Sequence, residues 1–127
     1  MVSRTFTELQ ELYDRGNMTT LNIGVPPGTK LDRGKPRVGL MFKDFARALL
    51  KVAEVATLGA EKYSPSGWET VPDNGERYDD AKGRHLLLGY VEELDPETEL
   101  SHLAHEAWNA LCVLEIKLRE DEASPDK

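Results

Sequence analysis

The stretch RHLLLGYVEELDPETELSHLAHEAWNALCVLEIKLRE, Arg84–Glu120, decides the fold. In its first part Leu86, Leu87, Tyr90, Val91 and Leu94 recur at helical spacing. Pro96 lacks an N–H and clashes with the preceding turn, which ends the run at LDPETE. These residues predict a helix that begins near Asp79 and reaches that point. Asp95 and Pro96 suit the N-cap and first turn of the next helix, which Leu103, Ala107, Leu111, Leu114 and Leu118 carry to about Arg119. A joint of roughly six residues brings the two helices together as an antiparallel hairpin.

Polar residues on this hairpin fall in two lines. His85, Gly89 and Glu92 stand at i, i+4 and i+7, and His102, His105 and Asn109 at i, i+3 and i+7, the second line continuing through Cys112 and Ile116. A line that ends in Cys112 and Ile116 faces inward, so its polar end needs partners around a cleft. Antiparallel packing sets Glu92 near His102 and His105, and His85 nearer Asn109.

Outward from the hairpin, Phe42, Phe45, Ala46, Leu49, Leu50, Ala53, Ala56, Leu58 and Ala60 predict one long helix over Met41–Lys62. YSPSGWETVPDNGE, with two prolines and two glycines, interrupts the helices as a loop that carries Trp68. Further upstream, Asn17–Arg37 contains GVPPGTK and DRGKPR and reads as an extended loop. Before it, a capping-box pattern from Thr5 to Glu8, followed by Phe6, Leu9, Leu12 and Tyr13, predicts a short helix stopped by Gly16. The tail EDEASPDK is expected to fray. No strand pattern competes, so the expected class is all-α, about four helices with long loops in one domain over residues 1–127.

Sixteen Lys and Arg against 23 Asp and Glu leave a net charge of −7, which opposes non-specific attraction to nucleic-acid phosphates. An acidic chain that handles a nucleotide needs local positive charge, from a divalent ion or a few placed Lys and Arg. Cys112 is the only cysteine, which excludes an intramolecular disulfide and a cysteine-rich zinc site and fits a reducing compartment. No stretch reaches the roughly 18 apolar residues of a membrane span, and MVSRTFTELQELYDRG has no apolar signal core. The reading is a cytoplasmic protein with neither membrane nor nucleic acid as partner. Long helices in so short a chain leave apolar flanks, which makes a homo-oligomer, a dimer or tetramer, the expected assembly.

Carboxylate oxygens suit Mg²⁺ or Mn²⁺, and Glu92 and Asp95 at i, i+3 present two of them on one side of a helix end. His102 and His105 are open to three roles: binding a softer ion such as Mn²⁺, contacting phosphate, or deprotonating an attacking water. Asp95 serves equally as a plain N-cap, and a carboxylate such as Glu97 in a first turn is favoured by the helix dipole whatever the function. Lys62 is the nearest cation for a triphosphate, while Tyr63 and Trp68 can stack on a base or plug the core. Glu54 and Glu61 share a face with Lys51 and read as a solvated flank. All three histidines of the chain lie on the two facing lines, which favours a functional cleft over an isolated structural histidine.

The segments GTKLDRGKPRVGL, VAEVATLGAEKYSPSGW and RHLLLGYVEELDPETELSHLAHEAWNALCVLE, in unbroken order over about residues 28–118, resemble the dATP/dGTP diphosphohydrolase N-terminal domain family. The resemblance implies an enzyme of phage nucleotide metabolism with a helical fold related to the MazG and HisE pyrophosphohydrolases, which are usually oligomeric and hold Mg²⁺ or Mn²⁺ against the phosphates with acidic helices. Lys62, Tyr63 and Trp68 match its KY and NW signature, with Gly67 in place of the Asn. Arg84, His85, Glu92, Asp95, Glu97, His102, His105 and Asn109 match the downstream motif, across a linker about one residue short that leaves Glu92 and Glu93 as alternatives.

By that likeness, substrate contacts fall to Lys62, Tyr63, Trp68, Arg84, His85 and Asn109, and metal to Glu92, Asp95, Glu97, His102 and His105. Glu92, His102 and His105 are also the catalytic candidates. HLAH stands where MazG enzymes carry an ExxD pair. The implied activity is hydrolysis of dGTP and dATP to the monophosphate and pyrophosphate. Against it stands a helical interaction module without chemistry. A triphosphohydrolase of the HD type is disfavoured because the chain has no His-Asp dipeptide.

Overall fold

A computed structural model describes residues 26–124, and the helix expected before Gly16 lies outside them. Four α-helices and one short 3₁₀ turn make up the described architecture, with no strand among the described residues. They are α1 (Val38–Asp44), α2 (Ala46–Lys62), α3 (Asn74–Leu88) and α4 (His102–Ala123), with the 3₁₀ turn Gly67–Thr70 between α2 and α3. None is long and apolar enough to cross a membrane. The chain divides into two compact units, Met1–Met41 and Phe42–Lys127, and the candidate site lies wholly in the second.

In the first unit the Gly-Pro-rich loop forms two tight turns. Gly28 and Gly34 take φ of 86° and 85°, and they are bracketed by Thr29 N–H to Pro26 O and Lys35 N–H to Asp32 O at 3.1 and 2.9 Å. Such backbone angles strain any residue with a Cβ, which is why glycine occupies the third place in each turn.

The helix expected over Met41–Lys62 is two helices, because Phe45 leaves the helical region at φ −119°, ψ 22°. Neither Pro nor Gly marks the break, so the apolar period runs straight across it. Pro65 then disfavours helix at Ser64, and α2 ends at its cap, Tyr63. α3 starts at Asn74, earlier than the apolar spacing indicates, behind Asp73 in the left-handed region at φ 54°.

α3 also stops earlier than expected, at Leu88, and this moves three carboxylates. Tyr90, Val91 and Glu92 make closing turns back to Leu87 and Leu88. The chain then folds on itself through an antiparallel bridge, Leu94 to Ser101. Asp95 N–H donates to Leu100 O at 2.8 Å and Glu99 N–H to Asp95 O at 2.7 Å, with Glu99 left-handed at φ 62°. Glu92, Asp95 and Glu97 therefore sit on a folded connector and not on helix ends, and Asp95 is no helix cap. The cap of α4 is Ser101, whose Oγ accepts from Leu103 N–H at 3.1 Å. Pro96 terminates nothing, because the helix has already ended.

α3 and α4 pack most extensively, with α2 against α4. The pair is antiparallel: Gly75 lies opposite Ile116, and Gly89 opposite His102. The buried face of α4 is His102, Ala104, Asn109, Cys112 and Ile116, joined by Val55 from α2. This is the inward line that the spacing from His102 to Ile116 predicts.

Candidate active site

The three histidines meet where α3 ends and α4 begins. His85, in the last turn of α3, stacks on His105 with ring centroids 4.5 Å apart and lies 5.2 Å from His102. Its Nδ1 is 2.9 Å from His102 Nδ1, and the far nitrogen of His102, Nε2, is 3.4 Å from Glu92 Oε1. His102 is wholly buried. Gly89 lies alongside, where an added Cβ would stand 3.6 Å from His102 Cβ, an ordinary contact. Burial, with His105 and His102 beside it, lowers the pKa of His85. Burial also lowers that of His105, against the opposing pull of Asp95.

A second carboxylate chain backs His105. Its Nε2 is 2.7 Å from Thr98 Oγ1, and that hydroxyl donates to Asp95 Oδ2 at 2.9 Å. Leu100 N–H donates to the same hydroxyl oxygen at 3.2 Å, and His105 Nε2 stands 3.5 Å from Asp95 Oδ2. Because Thr98 gives its only proton to Asp95, the 2.7 Å contact is a donation from His105 Nε2–H. Partial burial pushes Asp95 up, but Thr98, His105 and the backbone N–H groups of Glu97 and Thr98 outweigh it and lower its pKa. Asn109 braces the turn of α4 by donating from Nδ2 to His105 O at 2.8 Å.

These groups border a cleft of about 760 Å³. One wall carries His85, His105, Asp95, Thr98 and Asn109, and the other carries Lys62, Tyr63 and Trp68 from the end of α2 and the loop after it, with Arg84 beside His85. Lys62 reaches across to Glu97 Oε1 at 2.8 Å, and this hydrogen bond raises its pKa. Arg119 lies over the Trp68 ring at 5.2 Å and pairs with Glu69 and Glu115. A second recess of about 1020 Å³ shares the Lys62–Trp68 wall and Tyr78 with it and adds Arg77 and Asp80.

Nine of the sequence-derived candidates thus share one cleft: Lys62, Tyr63, Trp68, Arg84, His85, Asp95, Glu97, His105 and Asn109. Glu92 and His102 do not line it. His102 is sealed behind His85, and Glu92 opens to solvent beside Glu93 and Leu103. His85 contacts His102 and His105, whereas Asn109 bonds the backbone of α4. Thr98 and Tyr78 went unread. Tyr78 stands seven residues before His85 on one face of α3, and Thr98 stands three after Asp95, spacings that could have flagged both.

The residues do not fit a resident metal ion. Among the described residues no group of three or more His, Cys, Asp or Glu is arranged to hold one. Each expected ligand is engaged elsewhere: Glu92 with His102, Asp95 with Thr98 and His105, Glu97 with Lys62. A Mg²⁺ ion that travels on a triphosphate asks less, since phosphate oxygens and waters fill most of its shell.

A model of the family described as dATP/dGTP diphosphohydrolase, N-terminal, matches residues 25–126. The chain belongs to that family. No curated protein and no solved structure matches it. The family's name points to hydrolysis of dATP and dGTP and to the N-terminal part of such enzymes. The matched span takes in every residue of the cleft, so this dATP/dGTP diphosphohydrolase N-terminal domain carries the whole constellation within the family's own boundaries.

Proposed function

We propose that the cleft hydrolyses dGTP and dATP to the deoxynucleoside monophosphate and pyrophosphate. What supports this most is that Lys62 and Arg84, with the rings of Tyr63 and Trp68, border the same cleft as two imidazoles. Cations suit the phosphates, aromatic faces suit a purine, and an imidazole can take the proton of a water that attacks phosphorus. The water oxygen forms the new bond, the bond to the bridging oxygen breaks, and pyrophosphate carries away the electron pair.

A covalent route has no support here. Cys112 is buried, and burial pushes its thiol up to about 11. The divalent ion, Mg²⁺ or Mn²⁺, enters this reading on the triphosphate as part of the substrate, where it offsets phosphate charge.

Incubation with a panel of nucleoside triphosphates, followed by chromatography, tests the reading. The expected products from dGTP and dATP are the monophosphate and pyrophosphate. Nucleoside with tripolyphosphate, diphosphate with orthophosphate, or no turnover at all would each discard it, the last in favour of an interaction module.

The same reading makes the enzyme a homo-oligomer. Leu103, Leu111, Leu114 and Leu118 along α4, and Leu87 on α3, are exposed large apolar residues of the kind a partner copy covers. Light scattering at micromolar concentration should return a dimer or tetramer, and a strict monomer would rule it out.

A further inference from the structure

Glu92 and His102 lie outside the cleft, yet they are joined to it. Their chain runs from a half-exposed carboxylate, through a wholly buried ring, to an imidazole on the cleft wall. The direction of the protons follows from the donors available. A carboxylate oxygen only accepts, so the contact at 3.4 Å between His102 Nε2 and Glu92 Oε1 is an N–H donation to Glu92. With His102 uncharged, its single N–H sits on Nε2, which leaves Nδ1 as an acceptor. Across the 2.9 Å contact it can accept only from His85 Nδ1–H. His85 Nε2 is then a bare lone pair, and it has no hydrogen-bond partner among the described residues.

We propose that Glu92 and His102 are positioning residues that hold His85 in its Nδ1–H tautomer, so that His85 Nε2 is the base that takes the proton of the attacking water. The assignment of the base rests on the hydrolytic reading above, whereas the assignment of the tautomer does not. His105 is the weaker candidate because its ring tip, Nε2, is spent on Thr98 at 2.7 Å. Only its Nδ1, beside its own Cβ, is left. In the opposite tautomer His85 would offer the cleft an N–H, which cannot abstract a proton.

Two-bond ¹H–¹⁵N correlation spectra of the full chain, labelled at histidine and recorded at about pH 8, distinguish a protonated ring nitrogen from one with a lone pair. In the wild type His85 should carry its proton on Nδ1. In His102→Phe, which keeps a ring but no acceptor, His85 should move to the Nε2–H form. In that variant kcat for dGTP should fall by about 10²-fold or more with KM little changed, since His102 does not touch the cleft. His102→Asn, with a carbonyl oxygen near the former Nδ1, should restore the tautomer and much of the rate. Glu92→Ala, at a side chain 45% exposed, repeats the test without a core substitution and should lower kcat in the same direction.

A wild-type His85 protonated on Nε2 overturns the proposal, and so does a changed tautomer with unchanged kcat. If the wild type shows the Nδ1–H form but hydrolyses no deoxynucleotide, the functional reading has failed, and the base role of His85 goes with it.

Discussion

Replacing Thr98 with valine exchanges one hydroxyl for a methyl group at almost constant shape, and the structure says what that hydroxyl holds. It donates to Asp95 at 2.9 Å, receives His105 Nε2–H at 2.7 Å and receives Leu100 N–H at 3.2 Å. The bonds to Asp95 and His105 involve an ionised or ionisable partner in a partly buried setting. A net hydrogen bond contributes about 1 kcal/mol, rather more when one partner is charged, so three losses total about 3 kcal/mol. Partial solvent access to Asp95 and rotation of His105 toward it recover some of this, leaving about 2 kcal/mol. At a urea slope of about 1.5 kcal/mol/M, the unfolding midpoint should drop by a little over ~1 M. Thr98→Ser keeps the hydroxyl and should lose much less. Urea unfolding followed by circular dichroism reads both variants. Equal losses in Val and Ser, or a loss in Val below about 0.5 kcal/mol, would mean that the hydroxyl does not organise the connector and that Asp95 and His105 hold without it.

Lys62→Ala should raise KM for dGTP about tenfold with kcat near wild type, as expected for one cation meeting a phosphate, and steady-state kinetics decide it. Chelation should abolish turnover, with Mg²⁺ or Mn²⁺ restoring it, while the circular dichroism spectrum stays unchanged; unfolding on chelation would reveal a resident ion that the described residues do not suggest. His85 and His105 both have lowered pKa values when folded, so the unfolded chain binds their protons first as pH falls. Their contribution is therefore fully present above the ordinary imidazole value of about 6.5 and is lost between there and their lower folded values, which a series of urea midpoints across that window measures.

α4 was readable because its chemistry and its geometry share one period. The spacing of His102, Asn109, Cys112 and Ile116 is the buried face itself, and burial of a polar head beside an apolar tail already implies a cleft. The connector before it was not readable, because Tyr90, Val91 and Leu94 continue the apolar spacing of α3 past its true end at Leu88. Backbone pairing between Leu94 and Ser101, which folds the connector back on itself, overrides that apolar pattern. Asp95 and Pro96 made the error easy, since the residue types that cap a helix also make turns. The partition of the three imidazoles was hidden for a different reason. Spacing puts His102 and His105 on one face, but only the packing of α3 against α4, with His85 over His102, decides which ring is sealed in.

Trp68 and Trp108 both border the cleft, and they are the only tryptophans in the chain. All of the protein's tryptophan emission therefore originates at the place where a purine would stack. The light comes from one ring lying under the Arg119 guanidinium and another on α4 between His105 and Cys112. A plain fluorescence titration, with no dye, label or coupled reagent, therefore reads ligand binding at the walls that these two rings form.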